Sequence, residues 1–102
     1  MTEPWAVVDA PPPPEGAMAA IDVDGTMVAL GTLEGRLVAF DETCSHRMCP
    51  LSEGVLAEAS ITCPCHKSRF DLETGTPLNG PAVEPIRIRK VRQDGGRIYV
   101  ER

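Results

Sequence analysis

Aromatic residues are scarce in this chain: Trp5, Phe40, Phe70 and Tyr99 are all it has. A chain of 102 residues buries roughly two-thirds of its unfolded surface, so a core with so few large rings is thin. A bound metal centre or a disulfide would add useful stability. Apolar runs are short, and none approaches the roughly 20 residues of a membrane helix. The opening Met1-Thr2-Glu3-Pro4-Trp5 lacks the basic start and apolar run of a signal peptide, so the expectation is a soluble, cytoplasmic protein. Positive charge is also in short supply. The net charge of −5 argues against nucleic acid, whose binding needs a basic surface. There is no internal repeat and no convincing helical period of about 10 residues or more. No nucleophile–base pair, phosphate loop or substrate-pocket motif stands out, so nothing in the chain looks catalytic.

The length predicts a single domain over residues 1–102, since domains usually run to about 100–150 residues. Its segments read as strands. Trp5–Val8 is a short apolar run, and Pro11–Pro14 is an extended connector without backbone donors. Ala17–Ile21, Thr26–Leu30 and Arg36–Phe40 follow as a meander punctuated by Asp24-Gly25 and Glu34-Gly35. Ser60–Cys63 and Arg69–Leu72 are strand-like, and Asn79-Gly80-Pro81-Ala82 is a turn signal. From Glu84 on, Ile86 and Ile88 alternate with Arg87 and Arg89; Val91 falls out of that phase, which predicts a bulge or twist near Lys90. Arg97–Glu101 ends the pattern. The fold class is all-β, with a base from 1–41 and 84–102 and an inserted subdomain over 42–83.

Charge is uneven along the chain. Glu3, Asp9, Glu15, Asp22, Asp24 and Glu34 precede any base, whereas Arg87, Arg89, Lys90, Arg92, Arg97 and Arg102 crowd the end. Pairing of the two ends as neighbouring strands accounts for this; an acidic face that steers a basic partner is the alternative.

All four cysteines and both histidines lie between Cys44 and Ser68. They form two clusters, Cys44-Ser45-His46-Arg47-Met48-Cys49-Pro50 and Cys63-Pro64-Cys65-His66-Lys67-Ser68. Two thiolates and two imidazoles suit zinc, but zinc fingers and ribbons generally pair Cys with Cys and His with His. A mixed Cys/His pair used twice suits a two-iron cluster with chemically different ends.

The two boxes resemble those of the Rieske [2Fe–2S] family. Cys44-x-His46, with Cys49-Pro-Leu-Ser-Glu-Gly54, looks like the first cluster loop of bacterial Rieske ferredoxins. Cys63-Pro-Cys-His66, then Ser68, Phe70-Asp71, Gly75 and Gly80-Pro81-Ala82, looks like the second loop and its proline lid. The resemblance implies an antiparallel β-sandwich base with an inserted cluster-binding subdomain. It implies that Cys44 and Cys63 bind the buried iron of one [2Fe–2S] cluster, and that His46 and His66 bind the outer iron. Neutral imidazoles in place of thiolates raise the potential to roughly −150 to +300 mV, against about −400 mV for plant-type ferredoxins. Imidazoles facing solvent would also couple electron to proton transfer at alkaline pH.

In the branch of the family with Cys-x-His-x-x-Cys and Cys-x-Cys-His, the second pair, here Cys49 and Cys65, forms a disulfide between the loops. The alternative is two thiols in a reducing cytoplasm. Ser68 matches the serine whose hydroxyl bonds to a bridging sulfide in high-potential members. Phe70 stands where those members carry a tyrosine that bonds to a cysteine sulfur, which implies an intermediate potential. Pro81 falls in the lid. Arg47, Met48, Pro50, Leu51 and Lys67, with Gly80-Pro81, would form the tip beside the histidines. Met48 and Leu51 there are either ordinary shielding of the cluster or the apolar centre of a small docking patch for protein redox partners. Lys67 departs from the glycine usual after the second histidine.

By this resemblance the chain is a soluble Rieske ferredoxin, an electron carrier and not an enzyme, passing electrons from a reductase to a terminal oxygenase of the ring-hydroxylating type. A dedicated small subunit of another oxidoreductase, of the nitrite reductase or arsenite oxidase type, is the alternative. A zinc-stabilised interaction module would be a third class.

Overall fold

A computed structural model describes residues 4–44, 49–65, 67–79 and 82–102. The architecture is all-β and antiparallel, as expected. Among the described residues ten strands form three sheets: β1 (Trp5–Val8), β2 (Met18–Val23), β3 (Thr26–Leu33), β4 (Arg36–Asp41), β5 (Val55–Ala57), β6 (Ser60–Thr62), β7 (Arg69–Asp71), β8 (Ile88–Arg89), β9 (Val91–Asp94) and β10 (Arg97–Glu101). Their orders are β1-β10-β9, β2-β3-β4-β8 and β5-β6-β7, and one turn of 3₁₀ helix spans Leu51–Glu53.

The β2-β3-β4-β8 sheet is the central layer, covered on both faces. In β3, Val28 and Leu30 point one way and pack with Ala6, Val8, Ala39, Ile98 and Val100 from the β1-β10-β9 sheet and from β4. Ala29 points the other way and joins Phe40, Leu51, Leu56, Ile61 and Phe70 against the β5-β6-β7 sheet. Period-2 side-chain placement with both faces covered is why Val28–Gly31 is buried at every position. Gly31 gives close contact at this junction, since a Cβ there would stand 2.8 Å from a methyl of Leu56 and push that side chain aside.

The hairpins turn where the sequence punctuates them. Asp24-Gly25, Glu34-Gly35 and Gly95-Gly96 all take positive φ at both central residues, the requirement of type I′ turns. The carboxylate of Glu15 accepts the backbone N–H groups of Glu34 (2.5 Å) and Gly35 (2.9 Å). Thr32 Oγ1 donates to the Pro13 carbonyl at 2.6 Å. The proline segment is thus an ordered connector along β3.

The chain ends do pair: β1 runs antiparallel to β10 from Trp5↔Glu101 to Val8↔Ile98. Arg102 pairs with Asp24 at 2.6 Å, and Arg92 lies over both the Trp5 and Tyr99 rings, 5.1 and 4.9 Å from their centroids. The break expected near Lys90 is a change of sheet, since β8 pairs with β4 and β9 with β10. Arg89, on the opposite face from Ile88, is buried at the edge of the sandwich interior. There its Nε meets Asp41 at 2.7 Å and its Nη1 donates to the Glu101 carbonyl at 2.8 Å.

Candidate metal centre

The first cysteine loop leaves β4 and is closed at its base by backbone pairing. Cys44 N–H donates to the Cys49 carbonyl at 2.9 Å, and Thr43 and Pro50 form an isolated antiparallel bridge. Glu42 anchors the return. Its carbonyl accepts the Leu51 N–H at 2.8 Å, and its buried carboxylate accepts both the backbone N–H (2.8 Å) and the hydroxyl (2.5 Å) of Ser52. Those bonds fix the 3₁₀ turn that drives Leu51 into the core.

The second loop joins β6 to β7 and is equally tight: Cys63 N–H donates to the Ser68 carbonyl at 2.8 Å, and Lys67 N–H to the Cys63 carbonyl at 3.1 Å. Lys67 has φ +61°, a left-handed conformation that glycine adopts without penalty and other residues at roughly 1 kcal/mol or more. That accounts for glycine being usual here.

Two glycines hold the loops in register. A Cβ on Gly54 would sit 1.9 Å from the Thr62 carbonyl oxygen, so only a bare backbone lets the exit of the first loop lie on β6 one residue before Cys63. Gly75, with φ +80°, approaches the Ile86 carbonyl oxygen so closely that a Cβ would stand 2.0 Å away. The lid-side strand is tied down by three bonds: Arg69 N–H to Asn79 Oδ1 (2.7 Å), Leu78 N–H to the Arg69 carbonyl (2.7 Å) and Ala82 N–H to Ser68 Oγ (3.1 Å).

Cys49 and Cys65 form a disulfide across the two loops. With a sequence separation of 16, such a closure contributes about 3 kcal/mol in the chain-entropy model. Cys44 and Cys63 stay outside any disulfide and are 2% and 1% exposed. They belong to one buried group with Leu51, Phe70 and Ala82. Ser68 is fully buried, and its oxygen already accepts the Ala82 N–H, so its own proton remains available to donate. This donor set fits a two-iron centre: two buried thiols on separate stapled loops, with a buried hydroxyl alongside. Phe70, also fully buried, offers no donor.

His46, His66, Arg47, Met48, Gly80 and Pro81 lie outside the described residues. Lys67 is exposed and Pro50 half-buried, but of the two readings of Leu51 the docking-patch one is wrong and the shielding one stands. Leu51 is fully buried because the Glu42–Ser52 bonds turn it inward, and it takes no part in a docking surface. Sequence reasoning also passed over Glu42 and Asn79. An acid two positions before Cys44 and an Asn in an Asn-Gly-Pro turn were the available signals.

A family model described as Rieske [2Fe-2S] domain matches residues 5–92. The ferredoxin component of the naphthalene 1,2-dioxygenase system of Pseudomonas aeruginosa is 35% identical over 102 residues, covering 99% of this chain and 98% of that protein. Among solved structures, the ferredoxin of carbazole 1,9a-dioxygenase from Nocardioides aromaticivorans IC177 superposes with a TM-score of 0.81 at 36% identity, covering 97% of this chain and 95% of that one. A chain from a complex of reduced oxygenase and oxidized ferredoxin in carbazole 1,9a-dioxygenase superposes with a TM-score of 0.77 at 30% identity, covering 90% and 92%.

Proposed function

This chain belongs to the Rieske [2Fe–2S] family, and from that premise we propose that it takes single electrons from a reductase and delivers them to a terminal oxygenase of the ring-hydroxylating type. It carries one [2Fe–2S] cluster, which when bound supplies reversible one-electron storage. The protein is an electron carrier, not an enzyme. The oxygenase side of the reading rests on relatives that are ferredoxin components of dioxygenase systems.

The chain's own residues do three things. Cys44 and Cys63 would supply two thiolates, and His46 and His66 two imidazoles, to hold the cluster. The Cys49–Cys65 disulfide and the Glu42–Ser52 bonds hold the two loops at fixed separation, which limits the reorganisation that electron transfer must overcome. Ser68, buried beside Cys63 with its proton free to donate, would donate a hydrogen bond to a bound cluster and so favour the more electron-rich, reduced state. The exposed Lys67, with Arg47, Met48, Pro50 and Gly80-Pro81, would form the surface that meets the redox partners.

The observation that carries this reading is the division of labour among the cysteines. One pair is oxidised between the loops; the other is buried and kept out of that bond. Reconstitution tests it. An NADH-dependent reductase and a ring-hydroxylating oxygenase from a related system should turn over only when this protein is added. Equal turnover without it would refute the carrier role. Co-purification in a fixed ratio with one oxidoreductase chain would instead identify a dedicated subunit.

A further inference from the structure

The Sγ atoms of Cys49, Cys63 and Cys65 all lie within 4.8 Å of one another, a group that does not include Cys44. A buried thiol therefore stands beside the disulfide that is meant to protect its loop. We propose that in the cluster-free protein Cys63 attacks this disulfide and moves it from Cys49–Cys65 to Cys49–Cys63, and that a cluster bound through Cys63 blocks the exchange. The second half rests on the reading of Cys63 as a ligand.

The step balances without an external oxidant. The Cys63 sulfur gives up its proton and forms a bond to Cys49 Sγ, the Cys49–Cys65 bond breaks, and the Cys65 sulfur leaves and takes up a proton. One disulfide and two thiols are present before and after. Attack at Cys49 is the productive direction for two reasons. The leaving Cys65 is exposed and so departs into water, whereas Cys49 is half-buried. Attack at Cys65 would close a ring across Pro64 alone, whose fixed φ restricts the geometry a disulfide needs.

The consequence concerns assembly. Once Cys49–Cys65 has formed, an empty site is unstable toward loss of Cys63, so the cluster must arrive before or together with the disulfide. Cys44, outside the sulfur group, keeps its thiol throughout.

Disulfide mapping tests this on the full chain. Cys44→Ser and Cys63→Ser protein would be purified cluster-free and without reductant, checked for native circular dichroism, acid-quenched, alkylated and analysed by peptide mass spectrometry. Cluster-loaded wild type and wild type stripped anaerobically with an iron chelator complete the set. Cys44→Ser and stripped wild type should contain the Cys49–Cys63 linkage with Cys65 alkylated. Cys63→Ser should keep Cys49–Cys65 with Cys44 alkylated, and the Cys49–Cys63 linkage in Cys44→Ser should exceed any Cys44–Cys49 linkage in Cys63→Ser at least tenfold. Loaded wild type should show Cys49–Cys65 alone. Stripped, folded wild type with only Cys49–Cys65 and an alkylated Cys63 would overturn the proposal, as would equal linkage through Cys44. If a variant fails to fold, stripped wild type alone decides. Iron and sulfide analysis separates the two readings: full loading of Cys63→Ser would overturn the ligand assignment without touching the exchange.

Discussion

Replacing Ser68 with alanine removes one oxygen that serves two partners, and the two losses are measured separately. Ser68 is fully buried, and its Oγ accepts the N–H of Ala82, itself 3% exposed, at 3.1 Å. Without it that N–H is a buried donor with no replacement acceptor, at a cost of about 1–3 kcal/mol. In a domain of this size each kcal/mol lowers the melting temperature by roughly 4–8 °C. The second loss, on the proposed role of Ser68, is the hydroxyl proton it would donate to the bound cluster. A hydrogen bond to a charged acceptor is roughly twice as strong as a neutral one, so adding one electron strengthens this bond by about 1 kcal/mol. At 59 mV per tenfold change for a one-electron couple, about 1 kcal/mol corresponds to a fall of about 40 mV in Ser68→Ala. A spectroelectrochemical titration of fully loaded variant and wild type reads it directly. Ser68→Cys, a weaker donor, should fall between them. An unchanged or higher potential in fully loaded Ser68→Ala would mean that Ser68 donates no hydrogen bond to the cluster.

Phe70→Tyr should raise the potential by a similar amount, about 40 mV by the same arithmetic, because it adds a donor to the buried group that contains Cys44 and Cys63; no change or a fall in the same titration would contradict this. Glu42→Ala should destabilise the protein by about 2–4 kcal/mol, since it strands both donors of Ser52, and Glu42→Gln should recover part of the loss; urea unfolding at fixed cluster loading checks the order. Gly54→Ala should cost at least as much as a typical overpacking change, about 1–3 kcal/mol, because its Cβ meets backbone and not a movable side chain; thermal unfolding reads it. Lys67→Gly should be nearly neutral in stability, as relief of the φ +61° backbone offsets the larger entropy loss of glycine, each about 1 kcal/mol. A loss above about 2 kcal/mol would show Lys67 making contacts beyond its backbone.

Membership of the Rieske family was the most legible feature of the chain, because two Cys/His boxes restrict residue type and spacing together. The turns at Asp24-Gly25 and Glu34-Gly35 were legible for the related reason that positive φ selects glycine. The hairpin joining β5 to β6 was not. Its turn residues, Glu58 and Ala59, also take positive φ (53° and 59°) but carry no glycine or asparagine, and β5 is only three residues long. Leu51 was left open between shielding and a docking patch because a leucine after a proline in a polar loop fits either, while its burial depends on Glu42, nine positions earlier. Arg89 kept the predicted alternation but faces the sandwich edge and not water. Its partners, Asp41 and Glu101, are remote in sequence, so no local pattern announces them. Long-range polar satisfaction of this kind is what sequence periodicity does not encode.

The central claim is that Cys44, His46, Cys63 and His66 hold a two-iron cluster with unlike ends and deliver one electron at a time. The most direct test is a redox titration of the purified protein followed by electron paramagnetic resonance of the reduced form. A single one-electron wave within roughly −150 to +300 mV is expected, with a reduced-state signal carrying hyperfine coupling to two histidine nitrogens. A colourless, redox-silent protein with stoichiometric zinc would contradict it, as would a reduced cluster with no nitrogen coupling.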